Sequence, residues 1–303
     1  AIAARAFEGE KASTVLIARD DTYYDALSAA GLAGALNAPI LLTGSDTLSD
    51  ACRTAVASSG ASSAVIVGGT SAVSDQVAAQ LINMGLSVKR VWGDDVYATS
   101  MACTRACLEA GGSSEYAVVS SPASFYDAVS ISGWAYANKV PVMLQTWGDS
   151  ADARGFDSEA LSILAGRKVI VTGGDLAVSS SSLTGIDQSG ITRLGGTDAY
   201  DTSLKIAEWE LEHGMSAANV SIASAIQQYN GVDALAASAL AGKKGGVVLL
   251  AQSNPAYEPA QSTDMALKFV SDHASEVRTV HVLGGAAANT QEFYEQIEAA
   301  LGE

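Results

Sequence analysis

Basic residues are scarce in this chain: 17 Lys and Arg stand against 33 Asp and Glu, a net charge of −16 with the histidines neutral. Neutralising phosphate needs a surplus of cations, so this balance excludes a non-specific nucleic-acid binder and disfavours anionic membrane surfaces. Aromatics are few, at 6%, so the 48% hydrophobic fraction comes mainly from Ala, Val, Leu and Ile, the mixture that packs helices closely against buried strands. Only 17% of the 303 residues are charged, and such a chain has ample apolar surface for a folded core. No apolar run of about 18 residues is free of polar interruption, so the sequence predicts no membrane span. Cysteine is limited to Cys52, Cys103 and Cys107, which cannot all pair within one chain. Cys103 and Cys107 have the i, i+4 spacing of one helix face rather than of a zinc knuckle, and all three read as small buried hydrophobes. No signal peptide is visible, and Ala-Ile-Ala-Ala-Arg-Ala-Phe at the start reads as helix interior without a start signal, as if the numbering began at a cut.

What the chain does have is repetition. Tyr24-Asp25-Ala26-Leu27 returns as Tyr126-Asp127-Ala128-Val129 and as Val232-Asp233-Ala234-Leu235. Each is followed by a β-branched run ending in Gly-Gly, at Gly68-Gly69, Gly173-Gly174 and Gly284-Gly285. Between them lie Pro39-Ile40-Leu41-Leu42-Thr43, Pro141-Val142-Met143-Leu144-Gln145 and, more loosely, Gly246-Val247-Val248-Leu249-Leu250. A fourth element occurs twice: Arg90-Val91-Trp92-Gly93 leading to Tyr97-Ala98-Thr99-Ser100, and Arg193-Leu194-Gly195-Gly196 leading to Tyr200-Asp201-Thr202-Ser203. The repeats divide the chain into 1–89, truncated at its start, 90–192 and 193–303. Short apolar strands alternate with Ala-rich helices, a pattern that predicts an α/β protein of three tandem Rossmann-like parallel-sheet units. In the middle repeat the expected strands are 90–92, 116–120, 140–145 and 168–172. Its expected helices are 99–110, 126–138, 158–165 and 180–186.

Asp25, Asp127 and Asp233 fall just after a strand at a helix start, where a carboxylate can accept backbone N–H bonds or contact a ligand at the carboxyl edge of the sheet. No His, Cys or Lys recurs beside them to make a catalytic pair; His213, His273 and His281 all lie in the last repeat. The Gly-Gly pairs read as strand-to-helix turns, with Ser74, Ser179 or Asn289 available to cap the next helix, because the other residues of a nucleotide-binding loop are absent. Arg90 and Arg193, at matching positions in a base-poor chain, fit either a ligand contact or an ion pair that ties one unit to the next. The acidic stretch 148–152 reads as a solvated loop without EF-hand ligand spacing.

In their fixed order these pieces resemble the type 2 cell-wall-binding repeat, which occurs in tandem sets of three in surface proteins of Gram-positive bacteria. The resemblance covers essentially the whole chain. It implies an extracellular, wall-anchored protein built from three Rossmann-like or Toprim-like modules in a pseudo-threefold arrangement. It also implies an anionic secondary wall polymer, such as a teichoic-acid-like glycan, as partner, and no catalysis by the modules. Val96 and Ala199 stand where the family pattern has Arg, the third repeat lacks the Pro before its central strand, and Val232 replaces the aromatic.

A chain of charge −16 is repelled by a polyanion at long range, though screening confines that repulsion to about 8 Å at physiological ionic strength. Contact would then rest on Arg19, Arg90, Arg193 and helix-start N–H groups, with Asp25, Asp127 and Asp233 at the same edge, or on bridging calcium; no other cofactor is expected. Three similar clefts on a repeating polymer would add avidity. Two alternatives belong to other classes. A sugar- or phosphate-active enzyme would use strand-end carboxylates in one cleft unlike the rest. An adhesion protein binding other surface proteins would expose an apolar patch of several hundred Å².

Overall fold

The computed structural model describes residues 2–123, 125–146, 148, 154–225, 232–252, 264–286 and 288–302. Residues 149–152 of the acidic stretch lie outside these. Eleven strands among the described residues form three all-parallel sheets. The first contains β1 (Thr14–Arg19), β2 (Ile40–Thr43), β3 (Ser63–Val67) and β4 (Ser87–Val91) in the order β2-β1-β3-β4. The second repeats that order with β5 (Tyr116–Ser120), β6 (Val142–Leu144), β7 (Lys168–Thr172) and β8 (Ile191–Leu194) as β6-β5-β7-β8. The third, β10-β9-β11, is built from β9 (Asn219–Ser224), β10 (Val247–Ala251) and β11 (Thr279–Leu283).

Sheet and sequence repeat are out of phase. The Arg90 and Arg193 elements open the second and third sequence repeats, yet their strands close the preceding sheets: Ile66 pairs with Arg90 across β3 and β4, and Val171 with Arg193 across β7 and β8. The chain then crosses to the next unit through α6 (Val96–Glu109) or α10 (Ala199–Glu212). Ser100 and Ser203 near the start of these helices accept hydrogen bonds from Leu144 N and Leu250 N, each at 3.2 Å, on the outer strand of the next sheet. A recurring serine thus satisfies an edge-strand N–H that would otherwise be buried without a partner.

The expected long helix 126–138 is two, α7 (Tyr126–Ser130) and α8 (Ser132–Ala137). The same break separates α2 (Tyr24–Leu27) from α3 (Ala29–Ala35), and α11 (Val232–Leu235) from α12 (Ala237–Lys244). The first short helix of each pair carries the aspartate to the strand ends. The second joins a central junction in which α3, α8 and α12 each touch the other two. Glycines make this close approach feasible. A Cβ on Gly31 would sit 2.0 Å from Val140 O, and one on Gly34 the same distance from Tyr136 O. The helix α1 (Ile2–Ala6) packs on α12 of the third unit and so joins the two ends of the chain.

The remaining helices cover the sheets: α4 (Asp50–Ser59), α5 (Asp75–Asn83), α9 (Ser158–Leu164), α13 (Asp264–Asp272) and α14 (Gln291–Leu301). The segment expected as a helix at 180–186 is a 3₁₀ turn over Ser180–Leu183. Val15, Ile17, Ile66, Val118, Ile170 and Ile222 on the inner strands are buried, as strands covered on both faces require. All three cysteines are buried and unpaired, and burial pushes each thiol up to about 12. No helix among the described residues is long and apolar enough to cross a membrane.

Candidate functional site

The parallel strands of each sheet end at one edge, where the Gly-Gly turn meets the aspartate-bearing helix and, in the first two sheets, the Arg-bearing strand. The first glycine of each pair has positive φ, +107° at Gly68, +93° at Gly173 and +106° at Gly284. Side chains rarely adopt that conformation, and here there is no room for one either. A Cβ would fall 2.5 Å from Asp25 Oδ2, 2.4 Å from Asp127 Oδ2 and 2.8 Å from Asp233 Oδ2 respectively. Two motifs more than 40 residues apart are therefore one object, in which the glycine is the seat of the carboxylate.

The aspartates do not cap their helices. The cap positions are Tyr23 and Phe125, in helical geometry and without a side-chain capping bond. Burial raises the pKa of all three carboxyls, and that of Asp127 to about 6. At Asp25 this is opposed by Arg19 nearby and by a hydrogen bond from Thr99. Asp127 is almost wholly buried, and no hydrogen bond or ion pair among the described residues reaches its carboxylate.

The arginines bind the other side of the same turn. Arg90 Nη1 donates to Gly68 O at 2.9 Å and Gly69 O at 3.2 Å, and Nη2 approaches Asp75 at 3.3 Å. Arg193 Nη1 donates to Gly173 O at 3.1 Å and Val178 O at 2.7 Å. Each guanidinium thus clamps the turn of its own sheet rather than tying one unit to the next. Arg19 ends β1 and chelates Asp21 through Nε and through Nη2, the latter at 2.6 Å. Structure therefore groups the six sequence candidates unit by unit: Arg19, Asp25 and Arg90 at the first edge, Asp127 and Arg193 at the second, and Asp233 at the third.

Several residues that shape the strand-end edge were less evident in the sequence. Asp95 and Asp198 cap α6 and α10, accepting from Ala98 N at 2.7 Å, and from Tyr200 N and Asp201 N at 2.9 and 2.8 Å. Thr99 and Thr202 accept from Gly93 N at 3.2 Å and Gly196 N at 2.9 Å, fixing the turn after the last strand. The matching Thr-Ser pairs were the signal for this. Of the expected caps after Gly-Gly, Ser179 accepts from Ser182 N, Ser74 makes no capping bond, and Thr290 takes the place of Asn289. Asn289 instead donates to Leu283 O at 2.9 Å. No group of three or more His, Cys, Asp or Glu among the described residues is placed to hold a metal ion.

Three tandem parallel-sheet units with a repeated strand-end Asp–Gly seat define a modular α/β repeat architecture. The family model for Cell wall binding domain 2 (CWB2) matches residues 1–78, 90–183 and 193–294, and the chain belongs to that family. Several solved structures share its fold, among them two Clostridium difficile proteins. Cwp6 from Clostridium difficile superposes with a TM-score of 0.81 at 20% identity, over 99% of this chain and 45% of that one. Cwp8 from the same organism gives 0.80 at 24% identity, over 96% of this chain and 48% of that one. The chain thus spans less than half the length of these neighbours. No curated protein sequence matches it. Membership places the chain at the cell wall or cell surface, in a family defined by wall binding and not by a reaction.

Proposed function

We propose that the chain anchors a larger secreted protein non-covalently to the Gram-positive wall by holding an anionic secondary polymer, without catalysing a reaction on it. The observation that carries this reading is the threefold recurrence of the Asp–Gly seat at the strand ends, within a chain matched by the wall-binding model over all three repeats. Tandem sites on a repeating polymer gain effective concentration from their linkage, which suits an anchor more than it suits an enzyme with one reaction centre. The arginines are engaged by the turns they clamp, so polymer contact falls to the sugar-facing groups of the edge and to divalent cations bridging exposed carboxylates to polymer phosphate.

Sedimentation of the chain with isolated Gram-positive wall tests this, before and after acid removal of the secondary polymer, in calcium or in EDTA. Retention on intact wall and release from stripped wall is the expected result. Equal retention on stripped wall would assign the binding to peptidoglycan or to a wall protein. A calcium requirement would identify the bridge.

A further inference from the structure

The first two strand-end clefts are not equivalent. In the first unit Trp92 lies against Gly69, its Cε3 3.4 Å from where a Cβ there would be. The corresponding residue of the second unit is Gly195, which has no side chain to lay over the turn, and an open cleft of about 350 Å³ lies beside Gly174 and Gly196. Tyr126, Asp127, Asp175, Leu176, Thr197 and Asp198 contribute to its lining.

The carboxylates differ as well. Asp25 has the hydroxyl of Thr99 and the nearby charge of Arg19. In the second unit Ser121 takes the place of Arg19, and Asp127, with only 8% of its surface exposed, has no hydrogen-bonding or ionic partner among the described residues. The other two acids in the cleft are engaged. Asp175 accepts from Ser180 N and Oγ at 2.8 and 2.7 Å, and Asp198 caps α10. At the rim Leu176 is 98% exposed, where the first unit has Ser71.

A desolvated carboxylate with free acceptor positions is satisfied best by a ligand that brings several O–H donors. Leucine and tyrosine beside it offer apolar surface to the C–H face of such a ligand. Phosphate does not fit, because three carboxylates line the cleft and Arg193 is engaged by the turn carbonyls. We propose that the second unit's cleft binds a sugar residue of the wall polymer through hydroxyl donation to Asp127, and that Trp92 closes the first unit's cleft to the same ligand. This rests on the polymer-anchoring reading. It also accounts for how a strongly acidic chain holds an anionic polymer, by gripping the sugar between the phosphates.

Saturation-transfer NMR on the whole chain tests the proposal, with the acid-released wall polymer, its constituent neutral monosaccharides and glycerol phosphate as probes. Transfer to the polymer and to at least one monosaccharide is expected, and none to glycerol phosphate. Asp127→Asn should weaken polymer binding about tenfold or more, the loss that follows from removing a charged hydrogen-bond acceptor. Ala199→Trp, which fills the cleft and leaves Asp127 in place, should do the same. Trp92→Gly should leave binding intact or add a second site. Three outcomes overturn the proposal: sugars that fail to bind the wild type, binding that survives both Asp127→Asn and Ala199→Trp, or binding that is lost with Trp92→Gly. Release of reducing ends from the polymer would replace binding by hydrolysis and overturn it too. If wall sedimentation persists in the cleft variants, this inference fails while anchoring stands. If the wild type does not sediment, anchoring itself fails.

Discussion

Asp127 should destabilise the fold at neutral pH, and the size of that effect follows from its burial. Its pKa rises from 3.8 to about 6 because desolvation disfavours the carboxylate and no partner compensates. Between pH 4 and 6 the folded chain therefore holds a proton that the unfolded chain has released, and stability falls as pH rises through this window. A shift of about 2 units at 1.36 kcal/mol each gives a penalty of about 3 kcal/mol, fully developed above pH 6 and absent below 4. Asp127→Asn removes the titration and keeps the shape. The amide brings a pH-independent offset of its own, so the diagnostic quantity is the change in the difference between variant and wild type. That difference should move by about 3 kcal/mol in favour of Asn between pH 4 and 7.5. In thermal melts this corresponds to a relative gain on the order of 6 °C. Asp25, Asp233 and the buried Glu210 titrate in the same direction in both proteins and cancel in the comparison. Parallel pH profiles for the two proteins would refute the reasoning, since Asp127 would then titrate alike folded and unfolded.

Gly31→Ala places a Cβ 2.0 Å from Val140 O at the central helix junction and should cost about 2–3 kcal/mol in urea unfolding. Gly166→Ala, at φ +75° with open space around it, should cost only about 1 kcal/mol; equal costs would deny the junction its tight packing. Ser100→Ala and Ser203→Ala each leave a strand N–H unmatched and should cost about 1–3 kcal/mol, with faster hydrogen exchange at Leu144 and Leu250 respectively. Arg90→Ala combined with Arg193→Ala should lower stability by roughly 1–3 kcal/mol through the loosened turns, while wall sedimentation well below the melting temperature stays at the wild-type level. Loss of sedimentation without loss of stability would return the guanidiniums to the polymer.

Local pattern made some elements legible in the sequence and hid others. Strands at 116–120 and 168–172 match residue for residue, because short runs centred on Val-Val and Val-Ile-Val and bounded by turn residues read as strands. The break at Ile131 was missed although Ser130, Ser132 and Gly133 around it are poor helix formers, because the interruption serves the tertiary placement of Asp127. The partner strand of Arg90 and Arg193 was also hidden: apolar runs specify that a strand exists but not which neighbour it pairs with. At the edge, the aspartates and the Gly-Gly turns were both visible as recurring features. Their contact was not, because the chain separation between Asp25 and Gly68 is crossed only in the folded sheet. Likewise Trp92 against Gly195 was visible as a difference in letters, whereas the contact of Trp92 with Gly69 and the open cleft beside Gly174 exist only in the folded edge.

The half-step between sequence repeat and sheet has a consequence during synthesis. A ribosome making this chain releases the last strand of the first sheet only when Val91 has emerged, at the opening of the next repeat, and the last strand of the second sheet only at Leu194. The outer strand of each following unit then receives its serine bond from a helix that has already left the tunnel, as Leu144 does from Ser100 and Leu250 from Ser203. Each of the first two sheets is thus finished by the first residues of the following repeat, so a chain cut at a repeat boundary would lose the last strand of the sheet before the cut.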